Sequence, residues 1–281
     1  MTGNWPTATT RVAGVIGHPV RHSLSPVLFN AAFRALDLDW AFLAFDVPEG
    51  EAPAALDGVR ALGLDGLSVT MPHKETVAKA VDRLSHTAER LAAVNCLVRR
   101  GAELVGHNTD GAGFIDALRT DEGFDPDGRR CLVLGAGGAA RAVVLALAEA
   151  GASEVVVAGR TRSRAEVAAD LAGPVGKATD DPSGVGADLV VNATPVGMDV
   201  QPGIPIDAEE LRPGCVVVDL IYHPPHTQLL EAARARGAVA VNGLGMLIHQ
   251  AAHGFRLWTG EDPPLEVMSA AAVAAIAGRR G

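Results

Sequence analysis

The segment VLGAGGAARA at residues 133–142 decides the fold. It joins an apolar run, which predicts a buried strand, to a run of small residues, which predicts a helix. Gly135, Gly137 and Gly138 leave no side chain between the backbone amides and an incoming pyrophosphate. The helix that follows directs free N–H groups and the positive end of its dipole at the same place. With a further strand predicted about 20 residues on, the segment indicates a Rossmann-type dinucleotide site.

The end of that further strand predicts which dinucleotide binds. Proteins that bind NAD usually carry Asp or Glu there, whereas this chain reads AGRTRSRAE at residues 158–166. Arg160 and Arg164 offer guanidinium groups that suit a 2′-phosphate, and Thr161 adds a hydroxyl. Arg162 alternates away from them and is expected to be a bystander. We therefore predict NADP rather than NAD, the alternative being a solvated basic face at the start of a helix.

Composition narrows the class of function. The formal net charge is −9, so no basic field attracts nucleic acid, and no apolar run of about 18 residues suggests a membrane span. The segment MTGNWPTATTR lacks the apolar core of a secretory signal. Cys96, Cys131 and Cys215 lie far apart and form no metal-binding pattern, which predicts reduced thiols and no metal. We expect a soluble, cytoplasmic protein with a small-molecule ligand; a homodimer stays open.

Strand and helix patterns alternate along the chain and predict an α/β protein. In the first half, apolar runs predict strands at 11–17, 41–47, 66–71 and 95–100. Helical spacing predicts helices at 26–38, 51–62 and 73–84. Continuous apolar runs in the second half, as in a sheet covered on both faces, predict strands at 131–135, 154–159, 188–194 and 215–220. A last strand is predicted to end near Gly243, and residues 245–278 are predicted to be helical. A boundary near residues 105–112 is predicted to separate two sheets. With 4% aromatic residues, the core is expected to consist mostly of Ala, Val and Leu.

Polar side chains stand at the edges of the apolar strands of the first half. They are Thr70, Lys74, Asn95 and Asp110. Because ligands of open α/β sheets bind at the carboxyl ends of strands, these four predict one site. Asp110 also fits a helix cap, and the neighbouring His18, His22 and His73 are expected to be loop residues without a chemical role.

Two serines follow the first strand, in the loop GHPVRHSLSP at residues 17–26. Ser23 and Ser25 could together bind a carboxylate or a polyol. Ser25 precedes Pro26, so we expect it to be the N-cap of a helix. Ser23 has no such structural explanation.

Eight short motifs, in order, give the chain a resemblance that spans nearly its whole length. They are HSLSP, SVTMPHKE, AVNCL, GHNTDG, GAGGAARA, GRTRSRA, NATPVGM and NGLGMLIHQAAHGFRLWTG. The ordered set resembles the shikimate dehydrogenase family, which reduces 3-dehydroshikimate to shikimate with NADPH in aromatic amino acid biosynthesis. The resemblance implies two domains. Residues 1–109 plus 246–281 would form a mostly parallel α/β substrate-binding catalytic domain, and residues 110–245 a doubly wound Rossmann NADP-binding domain.

The resemblance also implies roles for individual residues. Lys74 and Asp110 would form the catalytic pair. The substrate would be bound by Ser23, Ser25, Thr70, Asn95, Tyr222 and Gln250. The cofactor pyrophosphate would lie against Gly135, Gly137, Gly138 and Ala139. The adenosine phosphate would contact Arg160, Thr161 and Arg164, and the nicotinamide side would contact Thr194, Leu220 and Gly243.

Three departures from the family pattern leave alternatives open. Ser68 stands where Asn is common, which weakens one expected substrate contact. Gly159 also stands where Asn is common, which weakens one adenine-side contact, and Cys96 stands where Thr is usual. Quinate or an amino analogue of shikimate is an alternative substrate. A non-catalytic NADP-binding sensor of the same fold is an alternative class. The intact Lys74 and Asp110 favour an enzyme, because a lysine ammonium can both stabilise an alkoxide and donate a proton.

Overall fold

The structure is a computed structural model that describes residues 6–198 and 200–278. These residues divide into two compact units. The first contains the chain up to Thr109 and from Gln250 onward, and the second contains Asp110–His249. Each unit is an α/β structure built on one six-stranded sheet, which confirms the predicted fold class.

The strands of the described residues follow the chain in this order: β1 (Arg11–Gly17), β2 (Trp40–Asp46), β3 (Gly66–Val69), β4 (Arg83–Leu84), β5 (Cys96–Arg100), β6 (Glu103–His107), β7 (Arg130–Leu134), β8 (Glu154–Ala158), β9 (Gly176–Thr179), β10 (Leu189–Asn192), β11 (Val216–Asp219) and β12 (Val239–Asn242). The helices are α1 (Ser25–Ala35), α2 (Ala52–Leu62), α3 (Lys74–Ala80), α4 (His86–Leu91), α5 (Asp110–Thr120), α6 (Gly138–Glu149), α7 (Arg162–Ala169), α8 (Gln228–Ala235), α9 (Leu244–Thr259) and α10 (Leu265–Gly278). Short 3₁₀ turns lie at Asp170–Val175 and Ala208–Glu210.

The sheet of the first unit has the order β2-β1-β3-β5-β6-β4. Strands β2, β1 and β3 are parallel, whereas β5 runs antiparallel to both β3 and β6. A turn of two residues joins β5 to β6, with Gly101 at a φ of 65°, and so tight a turn forces the two strands to be antiparallel. As a result, the amino end of β5 lies at the same edge as the carboxyl ends of β1, β3 and β6. The sequence prediction missed β6 and the direction of β5.

The core of the first unit collects most of the aromatic side chains. Phe29 stacks on Phe42 with ring centroids 4.4 Å apart, and Trp258 lies 4.9 Å from Phe29. The indole of Trp258 donates a hydrogen bond to Leu97 O at 2.9 Å. A Cβ on Gly66 would come within 2.2 Å of that indole nitrogen, so only glycine fits beneath it. Apart from this aromatic cluster, the buried hydrophobic residues of the first unit are mostly Ala, Val and Leu, as expected.

The sheet of the second unit is parallel throughout, in the order β12-β11-β10-β7-β8-β9. Its strands bury alternate residues on opposite faces: Val133 and Val191 belong to one apolar cluster, whereas Leu132 and Val190 belong to another. A sheet covered on both faces explains why the strands are continuous apolar runs. Here the core is indeed mostly Ala, Val and Leu.

The three cysteines are buried and make no disulfide. Burial, with a smaller contribution from Asp188, raises the pKa of the Cys131 thiol to about 12. The thiol is therefore protonated and unreactive near neutral pH. Within residues 6–198 and 200–278, no helix combines the length and the hydrophobicity that crossing a lipid bilayer requires.

Candidate functional site

The glycine-rich turn after β7 is held by the two neighbouring strands. Gly135 has a φ of 109°, and its N–H donates to Ala158 O at the end of β8 at 2.7 Å. A Cβ at this position would lie 3.0 Å from Ala193 O, just after β10. Both the backbone conformation and the close approach therefore require glycine.

Gly137 and Gly138 face open space instead. Gly137 is extended, with φ −80° and ψ −175°, and Gly138 begins α6. A Cβ added to either residue would meet no atom within 4 Å. These glycines leave room for a ligand in front of the N–H groups of a 12-residue helix, which is the arrangement that binds a pyrophosphate. Ala139 follows in the first turn of α6 and is half-buried.

The two kinds of glycine predict two different phenotypes. Gly135→Ala should lower the free energy of unfolding by about 1–3 kcal/mol, because the φ is strained for alanine. Gly137→Ala should leave the melting temperature unchanged but raise the Kd for NADPH, because the methyl group occupies the ligand's space. Thermal denaturation and calorimetric titration measure the two effects. Gly58→Ala, in an open position inside α2, is the control for binding: it should leave the Kd unchanged and raise the Tm slightly, because alanine is the better helix former. Equal Tm values for the two turn variants would contradict this assignment.

A cavity of about 430 Å³ lies at the carboxyl ends of β7, β8 and β10. Six of the residues proposed for the cofactor line it: Gly135, Gly137, Arg160, Thr161, Arg164 and Thr194. Gly138, Ala139, Leu220 and Gly243 do not line it.

The cations of the cavity wall are available to a ligand. Among the described residues, neither Arg160 nor Arg164 has an ion-pair partner. Arg162, which does not line the cavity, pairs with Glu166 at 2.9 Å and lies 3.8 Å from Asp180. Two guanidinium groups and the Thr161 hydroxyl suit a phosphate monoester, and no carboxylate stands at the end of β8, where NAD-binding proteins place one. The donor set therefore fits NADP.

The other end of the cavity is formed by the loop that follows β10. The backbone N–H and the hydroxyl of Thr194 both donate to Asn192 Oδ1, at 3.0 and 2.7 Å. Leu220, after β11, donates its N–H to Asn192 O at 3.0 Å. A Cβ on Gly243, after β12, would lie 2.1 Å from Leu220 O, so glycine is required there. Asn192 connects these loops, and the sequence prediction missed it because it reads as the end of an apolar strand.

The first unit gathers polar residues at the sheet edge described above. Thr70 follows β3, and its N–H donates to Ile16 O at 3.0 Å. Its side chain covers Gly17, where a Cβ would come within 2.4 Å of Thr70 Cγ2. Thr70 is thereby fixed beside the loop that carries Ser23 and Ser25.

Lys74 begins α3 and is half-buried. Its carbonyl oxygen accepts the N–H of Val94 at 2.9 Å, which holds the start of the helix next to the residue before Asn95. The preceding residue, His73, is 1% exposed, and its Nε2 lies 2.8 Å from Val47 O. His73 therefore anchors the beginning of α3.

Asn95 is the centre of a buried hydrogen-bond network. Its Nδ2 donates to Thr109 Oγ1 at 2.9 Å and to Gln250 Oε1 at 3.4 Å. Its Oδ1 accepts the backbone N–H of Thr109 at 2.7 Å, and the Thr109 hydroxyl donates to Gln250 O at 3.1 Å. The network therefore brings two of the residues expected to bind substrate together. Thr109 was missed by the sequence prediction because its partners are 14 and 141 residues away in the chain.

Asp110 follows Thr109 directly and is the first residue of α5. The residue is 6% exposed and lies at the N-terminus of this helix. Asp110 and Tyr222 belong to the second unit, whereas the other residues expected to bind substrate belong to the first.

The expected cap of α1 is wrong. The helix begins at Ser25 itself, its N-cap position is Leu24, and no side chain caps it there. Ser23 Oγ instead accepts the N–H of Ser25 at 3.2 Å. Because the helix starts one residue earlier than predicted, the hydroxyl of Ser25 is not used by the cap.

Within the two described ranges, no group of three or more His, Cys, Asp or Glu side chains is placed to hold a metal ion.

Three family models match successive parts of the chain. The model described as "Shikimate dehydrogenase substrate binding domain" matches residues 15–97, "Shikimate / quinate 5-dehydrogenase" matches 120–181, and "Shikimate 5'-dehydrogenase C-terminal domain" matches 243–273. The shikimate dehydrogenase (NADP(+)) of Methanopyrus kandleri is 47% identical over 273 residues, which cover 93% of this chain and 94% of that protein.

Solved structures agree with the sequence comparison. A shikimate dehydrogenase in complex with NADP+ superposes with a TM-score of 0.91 at 39% identity, covering 98% of this chain and 99% of the other. Shikimate 5-dehydrogenase from Thermus thermophilus, in complex with NADP(H) and shikimate, gives a TM-score of 0.89 at 39% identity, with coverage of 95% and 100%. Identity of this level over nearly the whole length establishes that the chain belongs to the shikimate dehydrogenase family.

Proposed function

We propose that the protein is an NADP-dependent oxidoreductase that reduces the ketone of 3-dehydroshikimate to the hydroxyl of shikimate, reversibly, in aromatic amino acid biosynthesis. The observation that carries the proposal is the polar set at one sheet edge of the first unit. It combines one cation, Lys74, with the neutral side chains of Thr70, Asn95 and Gln250. A polyhydroxylated keto acid needs such a set, because its hydroxyls take neutral hydrogen-bond partners and its ketone needs a proton donor.

In this proposal the two units bind different ligands. The first unit is the substrate-binding domain, and the second is the NADP-binding domain. In the second, Gly135, Gly137, Gly138 and Ala139 hold the pyrophosphate. Arg160, Thr161 and Arg164 hold the 2′-phosphate, and Thr194, Leu220 and Gly243 hold the nicotinamide side. When bound, NADPH supplies the hydride.

Lys74 and Asp110 supply the acid–base chemistry. Reduction adds a hydride to the carbonyl carbon and a proton to the carbonyl oxygen. The Nζ of Lys74 donates a hydrogen bond to that oxygen, stabilises the negative charge that develops on it, and gives up the proton. In the reverse direction the neutral amine accepts the proton of the hydroxyl. Asp110 orients the amine and the substrate hydroxyl.

The serines and Tyr222 bind the substrate carboxylate. Because Ser25 is not used as a cap, its hydroxyl is available to the carboxylate, and Ser23 stands beside it. The first N–H groups of the 11-residue helix α1 add the positive end of its dipole. Thr70, Asn95 and Gln250 bind the ring hydroxyls, for which the Asn95 amide exchanges one of its present partners.

A substrate panel tests the proposal. Shikimate, quinate and an amino analogue of shikimate are each offered with NADP and with NAD, and reduced cofactor is followed by absorbance. We expect shikimate with NADP to give the highest kcat/KM. A higher value with quinate or with the amino analogue would establish that alternative substrate. Cofactor binding without turnover of any of the three would establish a sensor.

The proposed location is the cytoplasm, and the proposed ligands are small molecules. The free, buried cysteines support a reducing compartment, and the formal net charge of −9 speaks against a nucleic acid partner. Neither a membrane nor a second copy of the chain enters the proposal, because one chain carries all the residues named.

A further inference from the structure

Two fully buried polar residues end neighbouring strands beneath the cofactor cavity. Asn192 is the last residue of β10 and Asp219 the last of β11, and they are paired in register. Both are 0% exposed. None of the roles described above uses Asp219, although burying a carboxylate is costly unless donors surround it.

The amide of Asn192 has one possible orientation in this environment. Its Oδ1 accepts two hydrogen bonds from Thr194, so its Nδ2 must face acceptors. Nδ2 donates to Val196 O at 2.9 Å and to Asp219 Oδ1 at 3.0 Å. Asn192 thereby closes the turn that carries Thr194 and Val196, both of which line the cavity.

Asp219 accepts hydrogen bonds from three segments of the chain. Besides Asn192, Oδ1 accepts the N–H of Ile221 at 3.1 Å, and Oδ2 accepts the hydroxyl of Thr227 at 2.7 Å. Thr227 caps α8 by accepting the N–H of Leu230, so its own proton points to Asp219. One carboxylate therefore ties the loop after β10, the loop after β11 and the start of α8 together. A carboxylate suits this place because each of its three partners donates in this arrangement.

The residues around the Asp219 carboxylate are closely packed. A Cβ on Gly197, which has a φ of 112°, would lie 3.2 Å from Ile221 Cδ1 and 3.6 Å from Asp219 Oδ2. Burial raises the pKa of Asp219, and the hydrogen bonds from Thr227, Ile221 and Asn192 oppose the rise.

We propose that Asp219 is a positioning residue of the cofactor site, which acts through Asn192 and the Ile221 amide. It holds Thr194 at the nicotinamide end of the cavity and Leu220 in the neighbouring loop. This inference rests on the proposed function. It predicts an effect confined to that end, because Arg160 and Arg164 line the cavity at the end of β8 and have no bond to this network.

The test compares Asp219→Asn with Thr227→Ala. Asp219→Asn keeps the shape but replaces one acceptor oxygen by an NH₂ group, so at least one of the three donors loses its acceptor. It should weaken NADPH binding and lower kcat, each by about tenfold to a hundredfold. Its affinity for adenosine 2′,5′-bisphosphate, which reaches only the phosphate end, should not change. Thr227→Ala removes the cap of α8 and the donor to Asp219 Oδ2, but it leaves both bonds to Oδ1 in place. It should therefore lower the melting temperature and change kcat and NADPH affinity less than Asp219→Asn does.

Several results would overturn the inference. Wild-type kcat and NADPH affinity in a folded Asp219→Asn variant would do so, and so would equal losses of affinity for NADPH and for the bisphosphate. If Asp219→Asn does not fold, Asn192→Ser leaves Asp219 in place but removes its link to the cavity wall, together with the bonds of the Asn192 amide to Thr194 and Val196, and must give the same split between the two ligands. Failure of the proposed function is separate: it would be seen as absent turnover in the wild-type protein.

Discussion

Replacement of Lys74 by alanine should lower kcat by about 10²–10⁴-fold and leave the Kd for NADPH unchanged. The variant loses both the proton donor and the cation that stabilises the developing alkoxide. The cofactor should still bind, because the residues of the cationic cavity all belong to the second unit, whereas Lys74 belongs to the first. Steady-state kinetics with shikimate and NADP, together with calorimetric titration of NADPH, measure the two quantities.

Two further variants separate proton transfer from charge. Lys79→Ala removes the same side chain from an exposed position on the same helix and should have no effect. Lys74→Arg keeps the positive charge, but a guanidinium does not release its proton, so this variant should remain slow. Normal turnover by Lys74→Ala would refute the assignment of the proton donor, and recovery by Lys74→Arg would reduce the role of Lys74 to electrostatics.

The second large effect is expected when the contacts to the 2′-phosphate of NADPH are removed. Arg160→Ala should raise the KM for NADPH by about tenfold to a hundredfold, because it removes charge-assisted hydrogen bonds to the phosphate. The KM for the keto acid and the KM for NADH should stay the same, since neither ligand carries that phosphate. The double variant with Arg164→Ala should abolish the preference for NADPH over NADH. Because both arginines are exposed, the preference should also weaken as ionic strength rises.

Arg162→Ala is the matched control for these variants. Arg162 carries the same group at the start of the same helix, but it pairs with Glu166 and does not line the cavity. Its replacement should leave the KM for NADPH unchanged. If Arg160→Ala raised the KM for NADH as much as that for NADPH, Arg160 would be binding some part of the cofactor other than the 2′-phosphate.

The sequence predicts the second unit more fully than the first. A parallel sheet covered on both faces requires continuous apolar strands, and that pattern locates β7, β8, β10 and β11 within about two residues. The direction of β5 has no such signal, because an apolar run reads the same in either orientation. A two-residue turn at Gly101 decides it, and β6 is a short strand that the polar residues after it obscure.

The polar networks are harder to predict from the sequence, because the hydrogen-bond partners are distant in the chain. Asn95 is evident as a polar residue at a strand edge, but its partners Thr109 and Gln250 come from distant parts of the chain and depend on strand register. Asp219 ends the apolar run CVVVDL and could equally have faced solvent. The position of the Ser25 helix start, one residue from the prediction, lies within the usual uncertainty of helix ends.

The aromatic core around Trp258 has a practical consequence for spectroscopy. The three tryptophans of the sequence are Trp5, Trp40 and Trp258, and none lies between residues 110 and 249. Tryptophan fluorescence therefore does not report the unfolding of the Rossmann sheet in the second unit. A denaturation curve followed by tryptophan fluorescence therefore reports the first unit alone. Any difference between that curve and one followed by far-ultraviolet circular dichroism measures how independently the second unit unfolds.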